Sequence, residues 1–272
     1  MRYRGLVAIM ALTGAAACGT SPQPAPSASA TLEADGSPAT PAPATEAPPP
    51  KGRAEKVSNE FYSFAYAYPA QAAAIPALNQ MLEGRLEAAR SDVDSSARAG
   101  KAEMDKDGYP FHAYERQVDW RVVTDLPGWL SLSATLFEYS GGAHGMTNYD
   151  TLLWDRAAGT PRKPAELFTN AESLRQSIQA PFCDALDQQR AKKRGEPVQR
   201  GGQMFTECID PTAQTLILGS SNNRTFDRIG VLVAPYEAGP YAEGSYEITL
   251  PVTGKVMAAL KPQYRSAFSA RN

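Results

Sequence analysis

The thiol of Cys18 is the first group in the chain placed for a defined reaction. It follows Ala15-Ala16-Ala17 and precedes Gly19. Upstream, Arg2 and Arg4 precede an apolar run from Gly5 to Leu12. A charged start, a short apolar stretch and small residues make a secretory leader. The run is too short to span a bilayer. A cysteine directly after such residues is what the lipoprotein pathway needs, because its thiol accepts a diacylglycerol before the leader is cut. Ala15 stands where that pathway usually has leucine. The alternative is an ordinary secreted protein cut near Ala17. The expected address is extracytoplasmic, with a lipid anchor in the cell envelope. Gly19 in place of aspartate favours the periplasmic face of the outer membrane.

Cys183 and Cys208 are the only other cysteines. In an oxidising compartment an even pair reads as one disulfide. Closing a loop of about 26 residues would stabilise the fold by roughly 3.5 kcal/mol on the chain-entropy estimate. Two buried free thiols are the alternative.

Two loops carry the remaining candidates. The first is Ser140-Gly141-Gly142-Ala143-His144-Gly145. Its glycines permit positive φ and close backbone approach, so their N–H groups could form a nest for an anion. His144 is then a base or a ligand-contacting donor. The bland reading makes the loop a tight connection, with His144 bonding a neighbouring carbonyl. The second is Pro235-Tyr236-Glu237-Ala238-Gly239-Pro240-Tyr241. Tyr236 and Tyr241 either pack their rings or stack on a glycan or fill a partner's pocket. If both loops leave neighbouring strand ends, they should form one patch on one side of the sheet.

No complete catalytic set accompanies them. Ser140 is not in a Gly-x-Ser-x-Gly elbow, and a Ser140–His144 pair would need Asp150 or Glu138 as its orienting carboxylate. Spacing alone selects no pair among Glu237, Glu243 and Glu247 for glycoside chemistry. His112 and His144 are the only histidines, and a disulfide would remove both cysteines from any zinc set. The chain therefore reads as non-enzymatic, with no metal and no cofactor. It has no basic patch and no zinc-finger spacing, which argues against a nucleic-acid partner. Loss of Arg2 and Arg4 with the leader takes the formal net charge from −2 to about −4.

The elements that must position these groups are set by periodicity. Residues 18–54 are rich in Pro, Ala and Ser, ending in Pro48-Pro49-Pro50, and cannot bury enough surface to order themselves. They form a tether between the leader, residues 1–17, and the folded part. Phe61–Tyr68 alternates aromatics at period two, a strand ended by Pro69. Ile75, Leu78, Leu82, Leu86, Ala89 and Val93 recur at three and four, predicting a helix over about 75–99. Gln117–Val123 and Trp129–Tyr139 are strands around the turn Asp125-Leu126-Pro127-Gly128, the second with one packed and one wet face. Asn148–Trp154 is another strand. A helix is expected around Ala171–Arg190, kinked or broken at Pro181. Thr215–Leu218, Ile229–Ala234 and Ser245–Leu250 complete the strands, and Thr253–Leu260 reads as a last helix. The class is α+β, a mainly antiparallel sheet with helices packed on one face.

Several segments carry a family resemblance. Tyr139–Gly145 with Asn148-Tyr149-Asp150 and Leu167-Phe168, and Val233–Gly244, resemble the extracytoplasmic domain family of the anti-sigma factor RsiV and the peptidoglycan deacetylase PdaC. Phe61–Tyr68 with Pro69, Ile75, Pro76 and Asn79 resembles the smaller module preceding it there. The resemblance implies a small N-terminal αβ module over 55–125 and an RsiV-like C-terminal domain over 126–272. It also implies a protein-binding surface, since RsiV is a lysozyme receptor. No sigma-binding segment is seen in this chain, nor the histidine and aspartate set of a deacetylase. The part that carries over is a binding module for a lysozyme-like protein or peptidoglycan. A hydrolase or deacylase with an unrecognised site, or a passive structural lipoprotein, is the alternative.

Overall fold

The computed structural model describes residues 51–271. The leader, Cys18 and the tether up to Pro50 lie outside the described residues. Two sheets carry the fold. The first has six strands in sequence order: β1 (Arg53–Ser58), β2 (Tyr62–Tyr68), β3 (Tyr114–Leu126), β4 (Trp129–Tyr139), β5 (Met146–Asp155) and β6 (Thr160–Arg162). β1 thus takes the last two residues assigned to the tether. All neighbours are antiparallel except β2 and β3. That parallel pair needs a long crossover. It is supplied by the single turn α1 (Ala70–Ala73) and the long helix α2 (Pro76–Asp107). The second sheet is a three-stranded antiparallel meander of β7 (Thr215–Gly219), β8 (Arg228–Val233) and β9 (Tyr246–Pro251). The class is α+β.

Period-two burial in β2 turns Tyr62, Phe64, Tyr66 and Tyr68 inward, as their alternation requires. They meet Leu78, Leu82, Leu86, Val93 and Ala97 of α2, spaced by whole turns along one stripe. α2 starts with Pro76 in its first turn, where its missing N–H costs nothing. It outruns the expected end at about 99 by two turns. Those turns are exposed and carry Lys101–Asp105, one i,i+4 pair.

The division at 125/126 cuts a hairpin. Asp125 pairs with Leu130 and Leu126 with Trp129, so β3 and β4 are one unit. The packing divides later, around Lys163. Most residues before it build the core under α2, while Leu167, Phe168 and the more C-terminal residues, joined by Leu126 and Leu153, build a second core. A bulge between Val122 and Thr124 joins the two cores. Val118, Trp120 and Val122 pack toward α2, and after the extra residue Leu126 belongs to the second core. The face of β4 expected to be wet is dry at this end. Ser131 is 0% exposed, its hydroxyl without a partner, opposite buried Leu153.

The second core packs α3 (Ala171–Arg194) on β7–β9 through Leu174, Ile178, Phe182 and Leu186. α3 runs through Pro181 without a break. Pro181 lies on the exposed side, and Phe182 and Leu186 keep the helix docked beyond it. The last helix, α4 (Gly254–Ala259), is one turn and a half, capped by Thr253. Cys183 on α3 is bonded to Cys208, with Cα atoms 5.4 Å apart.

Candidate functional site

The loop between β4 and β5 reverses the chain in six residues. Gly141 and Gly142 sit at φ 98° and 90°, a region L side chains rarely adopt. Gly145 is forced by space: a Cβ there would lie 2.3 Å from the Phe137 ring and 2.9 Å from the Glu138 carbonyl oxygen. That close approach fixes where His144 leaves the backbone. Its Nδ1 is 3.0 Å from the Gly145 carbonyl oxygen, and its Nε2 3.2 Å from the Tyr236 hydroxyl. A carbonyl only accepts, so Nδ1 carries the proton; in the neutral ring Nε2 accepts from Tyr236. His144 also stacks on Tyr241, ring centroids 3.7 Å apart and planes 14° apart. The Tyr241 hydroxyl donates to the same Gly145 carbonyl at 2.9 Å.

The two loops therefore meet, and Tyr236, Tyr241 and His144 form one aromatic cluster. Tyr236 and His144 are both exposed, Tyr236 at 47%, and Tyr236 holds φ 71°, an outlying conformation for a bulky residue. Such strain persists only where surrounding structure enforces it. The residues that follow Tyr236 are tied to α3. Arg190 is 0% exposed and donates through Nε to the Ala238 carbonyl at 2.9 Å and through Nη1 to the Glu207 carbonyl at 3.0 Å. Lys193 donates at 2.6 Å to the carbonyls of both Glu243 and Ser245. Arg194 holds the Glu243 carboxylate at 2.8 and 3.1 Å. Burial alone would raise Glu243, but the Arg194 guanidinium and the Tyr246 hydroxyl hold its carboxyl below the usual range. Burial, with Glu243 beside it, pushes the Tyr246 phenol up to about 12.

The other candidates separate from this cluster. Ser140, Gly141 and Gly142 line a cavity of about 180 Å³ with Met104, Phe111, His112 and Tyr114. Asp150 pairs with Arg85 and Glu138 with Arg116. Neither candidate orienting carboxylate is spent on His144, whose partners are a tyrosine and a carbonyl. Glu237 faces Gln214 at 3.4 Å. Among the described residues, no group of three or more His, Cys, Asp or Glu side chains is arranged to hold a metal ion. Sequence reasoning missed Arg190 and Arg194. Their i,i+4 spacing near the end of α3 was visible, but only the tertiary packing reveals that Arg190 is buried.

Residues 55–147 match the family model described as Deacetylase PdaC, so this part of the chain carries a PdaC-like domain. The match spans β1 to the first residues of β5 and ends beyond His144. The tyrosine loop and the disulfide lie outside it. The chain is similar to a DUF3298 family member from Bacteroides fragilis, at 18% identity over 80% of this chain and 96% of that one, TM-score 0.48. It is similar also to a DUF3298 family protein from Pseudomonas aeruginosa, at 15% identity over 83% and 99%, TM-score 0.47. No curated protein matches the chain.

Proposed function

We propose that the folded part is a non-enzymatic binding module of the cell envelope, held to a membrane by lipid on Cys18. Its ligand is a cell-wall glycan or an exported protein of the lysozyme kind. The observation that carries this reading is Tyr236. Its half-exposed ring stands on left-handed backbone, and three basic residues of α3 bind the chain that follows it, at Ala238, Glu243 and Ser245. An aromatic ring presented rigidly at a loop tip meets a partner at little entropic cost. His144 supports binding over catalysis. Both its nitrogens are engaged, so it would have to break its bond to Tyr236 before acting as a base.

The test uses the full chain in detergent against immobilised lysozyme and against purified cell-wall sacculi. At least one surface should retain the wild type, and Tyr236→Ala should be retained at least tenfold less. Equal retention of the variant would refute the reading. The anchor is checked separately: the mature N-terminal peptide should begin at Cys18 and carry acyl mass, and Cys18→Ser should accumulate as precursor.

A further inference from the structure

Folding gathers a charge that the sequence scatters. The chain has a formal net charge of −2 and no basic run. Six arginines from separate segments nevertheless meet at one end of the molecule. β3 turns into β4 there, with Leu126 opposite Trp129, and β5 ends there, with Asp155 opposite Trp129. The Phe226 ring, from the turn between β7 and β8, lies 6.1 Å from the Trp129 ring. Tyr264, in the 3-10 turn Pro262–Ala267, lies 6.1 Å from Trp129 as well. Arg224 and Arg228 flank Phe226, and Arg265 adjoins Tyr264. The Arg162 guanidinium stands 5.6 Å from the Tyr264 ring. Arg156 reaches Asp125 beside the β3–β4 turn, and the Arg271 N–H donates to the Val252 carbonyl just beyond β9.

Their partners leave an excess of positive charge. Arg156 pairs with Asp125 at 2.6 Å, Arg162 with Asp155 at 2.9 Å, and Arg228 lies 3.9 Å from Asp227. Glu166 is a further anion here, offset by Lys261, whose Nζ donates to the Glu166 carbonyl at 2.8 Å. Arg224, Arg265 and Arg271 are exposed and join no ion pair among the described residues. No acidic residue follows Glu247, whereas Lys255, Lys261, Arg265 and Arg271 do. A guanidinium stays charged, and its planar fork matches phosphate oxygens.

Placement selects the source of that phosphate. β4 runs from Trp129 at the arginine end to Tyr139, about 35 Å away, and leads into the loop of His144. β8 runs the same way, from Arg228 to Val233, and leads to Tyr236. The arginines and the aromatic cluster thus occupy opposite ends. β1 opens at Arg53 opposite Tyr68, and β2 is parallel to β3, so the fold begins on the side toward the arginines. We propose that the arginine end docks on the phosphate headgroups of an anionic bilayer and turns Tyr236 and His144 away from it. Cations spread around three rings suit a plane of headgroups, with the half-buried Trp129 and Tyr264 at its polar boundary. This docking presumes the membrane-held chain of the reading above and adds its orientation.

The full chain is mixed with vesicles of phosphatidylcholine alone, or of equal parts phosphatidylcholine and phosphatidylglycerol. Phenylglyoxal then labels accessible arginines, read by peptide mass. Labelling of Arg224, Arg265 and Arg271 should fall at least about threefold on the anionic vesicles only, and recover in about 0.5 M NaCl, where screening acts within a few ångströms. Arg121, 78% exposed on β3, should label equally throughout. Arg224→Glu combined with Arg265→Glu should abolish the protection of Arg271 with unchanged melting. Protection that is equal on both vesicles, absent from both, or indifferent to salt overturns the docking. Protection by soluble polyphosphate without protection by vesicles assigns the arginines to a soluble polyanion and overturns it too. Shielding of Tyr236 from iodination together with the arginines overturns the orientation. None of these readouts uses a ligand of Tyr236, and acyl mass is read on a separate peptide, so failure of the binding or anchor reading shows independently.

Discussion

His144 lies flat on Tyr241, and both reach the carbonyl of Gly145, one through Nδ1 and the other through its hydroxyl. The two loops are thus stapled at one backbone oxygen, and Tyr236 stands outside the staple. Structural and binding roles should separate accordingly. Tyr241→Phe should cost about 1 kcal/mol of unfolding free energy, the worth of one hydrogen bond. Tyr236→Gly should leave stability within about 1 kcal/mol of native, because relief of the left-handed strain offsets the lost ring contact. Ligand binding should nevertheless fall at least tenfold. Chemical denaturation of both variants beside a binding titration checks this.

Arg190 is the strut beneath the tyrosine loop. It is fully buried and spans two carbonyls, with Asp187 at 3.2 Å as its charge partner. Arg190→Ala would leave those acceptors unpaired and should cost about 3–5 kcal/mol. Arg190→Lys should recover little, because a point ammonium cannot reproduce the planar fork. Equal denaturation midpoints for Lys and Arg at this position would contradict the assigned role.

The disulfide ties the loop after α3 to the helix, and Glu207, whose carbonyl Arg190 holds, adjoins Cys208. Cys183→Ser should therefore lower stability by about 2–4 kcal/mol. Thiol labelling of the native, non-reduced protein should find neither Cys183 nor Cys208 reactive.

Acid should weaken the fold through its depressed carboxyls. Burial alone would raise Asp227, but the Ser221 hydroxyl and N–H, with Arg271 and Arg228 nearby, hold its carboxyl below the usual value. Glu243 is depressed through Arg194 and Tyr246. A carboxyl lowered in the folded state adds stability above its unfolded pKa, about 3.9 for Asp and 4.3 for Glu. That stability is lost as pH falls through the folded value. Unfolding free energy should thus be flat near neutrality and drop below about pH 4. Asp227→Asn should lower the plateau and shallow that acid limb, read from denaturation curves between pH 2 and 7.

Much of this molecule is written locally. The alternation of Tyr62, Phe64, Tyr66 and Tyr68, the turn spacing of Leu78, Leu82 and Leu86, and the Pro127-Gly128 turn each specify an element, because burial of one face needs only the period of the chain. The pairing of Cys183 with Cys208 followed from there being no other choice nearby. The glycine and tyrosine loops do meet, but not as neighbouring ends of one sheet: the first joins β4 to β5 of the six-stranded sheet and the second joins β8 to β9 of the three-stranded sheet. Other features depended on packing between segments far apart in sequence. The helix survives Pro181 because its buried stripe resumes at Phe182. Ser131 is dry because a bulge and a second sheet cover a face whose alternation alone reads as wet. Arg190 looks like any basic residue near a helix end, and becomes a strut only where Ala238 and Glu207 arrive to accept from it. A one-dimensional pattern reports which face a residue takes, but burial and partners depend on what the rest of the chain lays against that face.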